Sequence, residues 1–258
     1  MSTHTHLSLR HPLVFRQLEV RRVETLTPHM RRIVVGGAAL RDFVSAAPDD
    51  HVKLFFPNAH GEIVRPTIGP NGPQYEPGVA YSPMRDYTPR HYDAEAQELT
   101  IDFVLHGDGP AASWAAQARP GQAIGAGGPR GSLVIAQDFD TYAMFGDETA
   151  LPAIGRWLEE LPAGKRAEVF VEIVGHADRQ PLASAAELHL TWLERDGADA
   201  ATSTGLEQAL AGWQPPAGDT FHWIAAESQR ARRLRQMLAE RGVTQDCIKA
   251  TGYWKAAA

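Results

Sequence analysis

Up to about residue 135, apolar and polar positions alternate in short runs broken by Gly, Pro and Asn clusters, the pattern of antiparallel strands. The runs "FRQLEVRRVETL", "MRRIVVGG" and "HVKLFFP" are three of these. In "LTIDFVLH" the side chains of Leu99, Ile101, Phe103 and Leu105 fall on one face, and those of Thr100, Asp102, Val104 and His106 on the other. One face is core, and the other is partly available to a ligand. The Gly- and Pro-rich interval from Pro57 to Pro83 predicts a long, partly mobile excursion between strands. This half reads as a β-barrel or sandwich.

The pattern changes after about residue 136. "YAMFG" and "VFVEIVG" are continuous apolar runs, as expected of strands buried on both faces. Between them, Leu151, Ile154, Leu158 and Leu161 recur at helical spacing, which makes a βαβ unit. Further strands at "LHLTWLE", "FHWIAA" and "CIKATGYW" alternate with helices at "GLEQALAGW" and "SQRARRLRQMLAER", so this half is expected to be doubly wound. The chain therefore divides into a barrel domain over residues 15–136 and an α/β domain over 137–258.

Composition narrows the chemistry. The 258 residues, 43% hydrophobic and 22% charged, describe a folded globular chain, and a net charge of −6 speaks against a general nucleic-acid binder. A single cysteine, Cys247, excludes an intrachain disulfide framework and every cysteine-rich zinc or iron–sulfur pattern. The opening "MSTHTHLSLRHPLVF" lacks an apolar h-region, and His4, His6 and His11 in it read as a disordered leader, too few for a metal site. The expectation is a cytoplasmic protein without membrane or metal, a monomer or weak dimer.

Two segments carry chemistry. In "HGDGPAASWAAQA", Gly107 and Gly109 separate a strand from a helix beginning near Pro110. Amides at Ala111, Ala112 and Ser113 then point outwards as an anion site, although an ordinary glycine turn explains the same letters. In "MRDYTPRHYD", Arg85 and Tyr87 share a face if the segment is extended, so a guanidinium can meet a phosphate while a phenol ring lies against an aromatic system. A polar strand edge ended by Pro89 is the plainer reading, and Arg90, His91 and Tyr92 are assigned to that surface.

Taken together, "RDYTPR", "DFVLHGDGPAASWA", "GPRGS", "GDETALPAI", "WIAAES" and "GYWK" occur in the order and at about the spacing of siderophore-interacting proteins, which this chain resembles from about residue 15 to residue 255. Members are FAD-dependent, NAD(P)H-using ferric-siderophore reductases of the ferredoxin-reductase-like superfamily. The resemblance implies a Greek-key FAD-binding β-barrel followed by an NAD(P)H-binding α/β domain. It implies that Arg85 meets the flavin phosphate, Tyr87 the isoalloxazine face and Thr88 the region of N5. It places Asp102, Val104 and His106 along the cofactor, and Gly109, Pro110, Ala111, Ala112, Ser113 and Trp114 at its diphosphate. Asp147, Glu148, Thr149, Ala150 and Pro152 match the start of the nicotinamide-nucleotide segment, and Ala226, Glu227 and Ser228 its later strand end. Pro89, Ala226 and Lys255 depart from the family pattern, and the methyl of Ala226 fills space that glycine leaves open.

Such an enzyme needs no catalytic side chain beyond the flavin, because the cofactor carries the redox chemistry. Its substrate, a ferric siderophore, is often anionic, so an acidic protein must supply local cations. Lys53 beside His51, Arg130 in "GGPRGS" and, third, Lys249 are the candidates. Glu172, Arg195 and Arg230 are candidate readers of the nucleotide ribose, which leaves NADH and NADPH both open as donors, and Trp192 joins Arg195 as a possible contact for the adenosine. Arg230, Arg232, Arg233 and Arg235 otherwise read as the wet face of a helix. Tyr253 and Trp254 are either ring covers or core aromatics, and Cys247 is a small core residue. A flavin or quinone reductase on the same fold, and a binding module without turnover, are the other two readings.

Overall fold

The computed structural model describes residues 4–70 and 72–256. These fall into two compact units, one containing Ser8–Leu26 and Met30–Val134, the other the chain from Ile135 onward with Thr27–His29 and the segment before Ser8.

The first unit holds strands β1 (Leu7–Arg10), β2 (Phe15–Thr27), β3 (Met30–Gly36), β4 (Val52–Phe55), β5 (Thr67–Gly69), β6 (Gly72–Gln74), β7 (Met84–Tyr87), β8 (His91–Asp93) and β9 (Glu98–Val104). Helix α1 (Pro110–Gln117) follows, then β10 (Ala123–Gly127) and β11 (Gly131–Val134). Seven strands form one sheet in the order β7-β4-β10-β2-β3-β9-β8, and β7 stands at its edge. The sheet is an antiparallel half-barrel. The alternation in the sequence is what closes its core: Leu18, Val20, Ile33, Val35, Val52 and Leu54 point inward together with Leu99, Ile101 and Phe103. The excursion after Pro57 carries a short hairpin, β5 paired with β6.

The other face of β9 is less open than its polar letters suggest. Asp102 and Val104 are buried, and Arg32 on β3, directly opposite Asp102 in register, grips that carboxylate through two nitrogens at 2.7 and 2.8 Å. Asp102 is thus the partner of a cross-strand arginine, a role that alternation alone cannot reveal.

The second unit runs β12 (Thr141–Asp147), α2 (Leu151–Glu160), β13 (Arg166–Ile173), β14 (Glu187–Glu194), α3 (Gly205–Gly212), β15 (Thr220–Glu227), α4 (Ser228–Glu240) and β16 (Ile248–Trp254). Its five strands are parallel, in the order β14-β13-β12-β15-β16. The order reverses between β12 and β15, and their carboxyl ends are where an open α/β sheet binds ligands. Every residue of β12 is buried, as its apolar run predicts. Leu151, Ile154, Leu158 and Leu161 all turn inward. Among the described residues no helix is long and apolar enough to cross a membrane.

The N-terminal histidines are not a loose leader. His4 stacks on Phe139 at 3.6 Å between ring centres and meets Asp138 at 2.7 Å, while His6 accepts from the amide of Ala136 and reaches the carbonyl of Asp246. His11 pairs with Ser132 at 2.8 Å.

Candidate functional site

β7 and α1 meet through aromatic rings. Tyr87 lies 4.4 Å from Phe103 and 6.5 Å from Phe56, and both of those rings touch Trp114 of α1, at 5.7 and 5.5 Å. The segments carrying the flavin motifs are therefore neighbours in space. Phe56 and Phe103 are the joining residues, and the sequence marks them only as core. Burial pushes the Tyr87 phenol well above its ordinary range, against the opposing pull of Arg85, so it stays a hydrogen-bond donor. Arg85 is exposed and gives one N–H to the carbonyl of Met84, while Thr88 is buried.

Helix α1 starts on Gly109 with Pro110 in its first turn and no side-chain cap. The amide of Ser113 is taken by the carbonyl of Gly109, so the amides without an intrahelical acceptor are those of Ala111 and Ala112. Gly107 has φ +55, a left-handed conformation, and no atom lies within 4 Å of where its Cβ or that of Gly109 would stand. His106 is exposed at the mouth of this loop. An open loop, uncapped amides and an adjoining aromatic wall fit the diphosphate and ring of a flavin dinucleotide.

Across the β4–β7 pair the alternation separates two faces. Val52 and Leu54 enter the core, whereas Lys53 lies opposite Asp86 and pairs with it at 2.6 Å. On that second face, Lys53, His51 and Arg130 line one cavity of about 100 Å³ with Phe55, and the hairpin residues Ile68 and Tyr75 form its apolar side. Lys53 and Arg130, 77 positions apart in sequence, are thus brought together. Lys249 is not among the lining residues; it stands on β16 opposite Trp223 of β15. The hairpin residues carry no signal beyond their place in a Gly/Pro-rich excursion, and Asp86 none beyond its place between Arg85 and Tyr87.

In the α/β unit the segment matched to the nicotinamide nucleotide is held by its own side chains. Asp147 ends β12 and accepts from the amide and hydroxyl of Thr149 and from the indole N–H of Trp254, the last at 2.7 Å. Burial, then the charge of Glu148, pushes Asp147 up to about 6, and those hydrogen bonds restrain the rise. Glu148 is clasped by both terminal nitrogens of Arg195 at 2.7 and 2.6 Å. Glu227 caps α4, accepting from the amides of Gln229 and Arg230. Ser228 donates to the carbonyl of Trp254. Ala150 and Ala226 are fully buried; the methyl of Ala226 belongs to the core that includes Phe145, Leu206 and Leu234.

This geometry corrects the ribose-reader candidates. Arg230 is 1% exposed and donates to Glu172 at 2.7 and 2.9 Å, to Glu207 at 2.9 and 3.3 Å, and to the carbonyl of Ala200. It is an interior cation, while Arg232, Arg233 and Arg235 hold the wet face. Glu172 is fully buried against it, and Arg195 is occupied by Glu148 and Glu172. Tyr92 is also interior in part, its hydroxyl donating to the carbonyl of Leu40. Cys247 is partly exposed rather than core.

An antiparallel half-barrel followed by a five-stranded parallel sheet is a ferredoxin-reductase-like fold. Residues 19–133 match the model of the siderophore-interacting FAD-binding domain, and residues 139–257 that of the siderophore-interacting protein. The chain belongs to the siderophore-interacting protein family. It is 36% identical to an NADPH-dependent ferric-chelate reductase of Escherichia coli over 96% of each chain. It is 31% identical to the ferric vibriobactin reductase ViuB of Vibrio cholerae, over 93% of this chain and 89% of that one. Among solved structures, a siderophore utilization protein from T. fusca superposes with a TM-score of 0.92 at 38% identity, covering 98% of this chain and 97% of that one.

Proposed function

We propose that this protein is an FAD-dependent, NADPH-using reductase of ferric siderophores that acts in the cytoplasm. The observation that carries the substrate assignment is the pairing of Lys53 and Arg130 in one cavity on β4, β7's partner strand. On a chain of net charge −6, two cations and His51 gathered there suit an anionic chelate. A flavin or quinone reductase has no need of such a rim.

In this reading Arg85 meets a phosphate of FAD, Tyr87 and Thr88 the ring, and Gly109 to Trp114 the diphosphate, with Val104 and His106 alongside. Asp102 shapes the strand through Arg32 rather than by direct contact. Bound FAD supplies hydride acceptance from NADPH and one-electron delivery to Fe(III), which loosens the metal from hard oxygen ligands. The Asp147–Ala150 turn and the Ala226–Ser228 strand end receive the nicotinamide nucleotide, the two alanines through backbone only. Lys53 and Arg130 orient the chelate, with Asp86 restraining Lys53.

The purified protein is expected to show an oxidised flavin spectrum that NADPH bleaches and an anionic ferric siderophore restores. A colourless protein that cannot be loaded with FAD refutes the proposal. Lys53→Ala with Arg130→Ala should raise KM for the anionic chelate about tenfold, the scale of one to two kcal/mol, with FAD content unchanged. Unaltered kinetics in the double variant would remove these residues from the substrate site.

A further inference from the structure

β16 ends in an irregularity that the sheet does not require. Ala226 of β15 lies opposite Gly252, but the next residue, Glu227, lies opposite Trp254, so Tyr253 is an inserted bulge residue. Tyr253 turns edge-on to Trp223 at 6.1 Å, and the bulge aims the indole of Trp254 at Asp147. The backbone is fixed on both sides of this turn. Ser228 Oγ holds the carbonyl of Trp254 at 2.7 Å, and a Cβ at position 252 would stand 2.8 Å from Ser228 Cα, so only glycine lets the two segments close up.

Asp147 is where the turn after β12 is decided. One of its oxygens binds the amide and hydroxyl of Thr149, and the other takes the indole N–H. From the opposite flank of the sheet, Arg195 beyond β14 clasps Glu148. The turn is therefore tethered from both sides, by an uncharged donor at Asp147 and a charged one at Glu148.

We propose that Trp254 is a positioning residue for nicotinamide-nucleotide binding: its indole N–H fixes Asp147, and through it the Asp147–Ala150 turn, in the conformation that receives the nucleotide. This rests on the assignment of that turn to NADPH made above. The charges bearing on Asp147 are Glu148 on its own turn and Arg195 just beyond β14, while Glu172 on β13 and Glu227 on β15 are each engaged by partners of their own. The indole bond favours the ionised carboxylate, so its loss moves the titration of Asp147 to higher pH.

The test is Trp254→Phe, which keeps an aromatic ring and removes the N–H, studied in the FAD-loaded protein. NADP+ binding by calorimetry should weaken about tenfold, the effect of one charge-assisted hydrogen bond. The acid limb of NADPH-driven flavin reduction should shift to higher pH, while FAD content and reoxidation of dithionite-reduced flavin by the ferric chelate stay unchanged. In the unmutated protein the Trp254 indole ¹H–¹⁵N signal, assigned by its loss in Trp254→Phe, should titrate near pH 6 and cease to do so in Asp147→Asn. This signal reports the contact even if Trp254→Phe proves unstable. Unmutated protein whose flavin NADPH cannot reduce overturns the functional assignment itself. Normal reduction, with Trp254→Phe matching the unmutated protein in affinity and pH profile, overturns only the role of Trp254, as does an indole signal that does not titrate.

Discussion

Replacing Arg230 with methionine keeps the length of its aliphatic stem and deletes the guanidinium. In the folded protein that group is 1% exposed and bridges Glu172 and Glu207, which are themselves 0% and 7% exposed. The variant leaves two buried carboxylates facing each other, with only the more distant Arg195, 3.6 Å from Glu172, and Arg233, 3.7 Å from Glu207, as cations. Breaking a buried pair in this way costs about 3–5 kcal/mol. For a chain of this size, that corresponds to a fall in Tm of about 10–15 °C in a thermal melt at pH 7. The pH dependence tests the cause. Burial raises the pKa of Glu172, but hydrogen bonds and charge from Arg230, helped by Ser203 and Arg195, outweigh it, and the net position lies below the ordinary value. A folded pKa below the unfolded one contributes stability that is present above the unfolded value and lost as pH falls through the folded one. Without Arg230 the shift is reversed in part: burial dominates, the carboxylate protonates more readily, and the deficit of the variant should narrow as pH falls from 7 towards 5. Adding Glu172→Gln and Glu207→Gln to Arg230→Met should recover part of the loss. A fall in Tm below about 3 °C, or a deficit that does not change with pH, would refute the claim that this guanidinium holds a buried acidic pair in place.

Two further outcomes follow from the structure. Burial pushes His222 down to about 4, so it stays neutral while an unfolded chain binds a proton below about 6.5; stability should fall by about 3 kcal/mol between those values. Urea titrations of His222→Gln should show a flatter profile over that interval, and an identical profile would sink the assignment. Gly107→Val forces a branched residue into φ +55 beside α1, and fluorescence titration of the apoprotein should find FAD affinity about tenfold lower, with unchanged affinity counting against the loop.

What the sequence disclosed depended on the range of the interaction. Alternation along β9 and the helical spacing of Leu151, Ile154 and Leu158 are local, and both elements form as their patterns require. Arg230 was legible in principle: it precedes Leu234 by four positions and Leu238 by eight, which is the inward stripe of α4, but a cationic letter suggested the wet face. Its acidic partners, Glu172 and Glu207, come from other elements 58 and 23 positions away. The same holds for His4 with Asp138, separated by 134 positions, and for Asp86 with Lys53, separated by 33. Pairing across a fold leaves no periodic trace. The aromatic contact between β7 and α1 likewise runs through Phe56 and Phe103, whose letters announce only burial.

The helix starts differ in what they would offer the two ligands of the proposed function. At α4 the first amides already face the chain's own carboxylate, Glu227, so its positive end is quenched before any phosphate arrives, and in the turn before α2 Asp147 takes the amide of Thr149. At α1 no side chain intervenes, and the field of the helix remains exposed to an incoming anion. Under the proposed function, one dinucleotide lodges against an unquenched pole and stays through many turnovers. The other meets a surface already at electrostatic rest, and leaves as readily as it came.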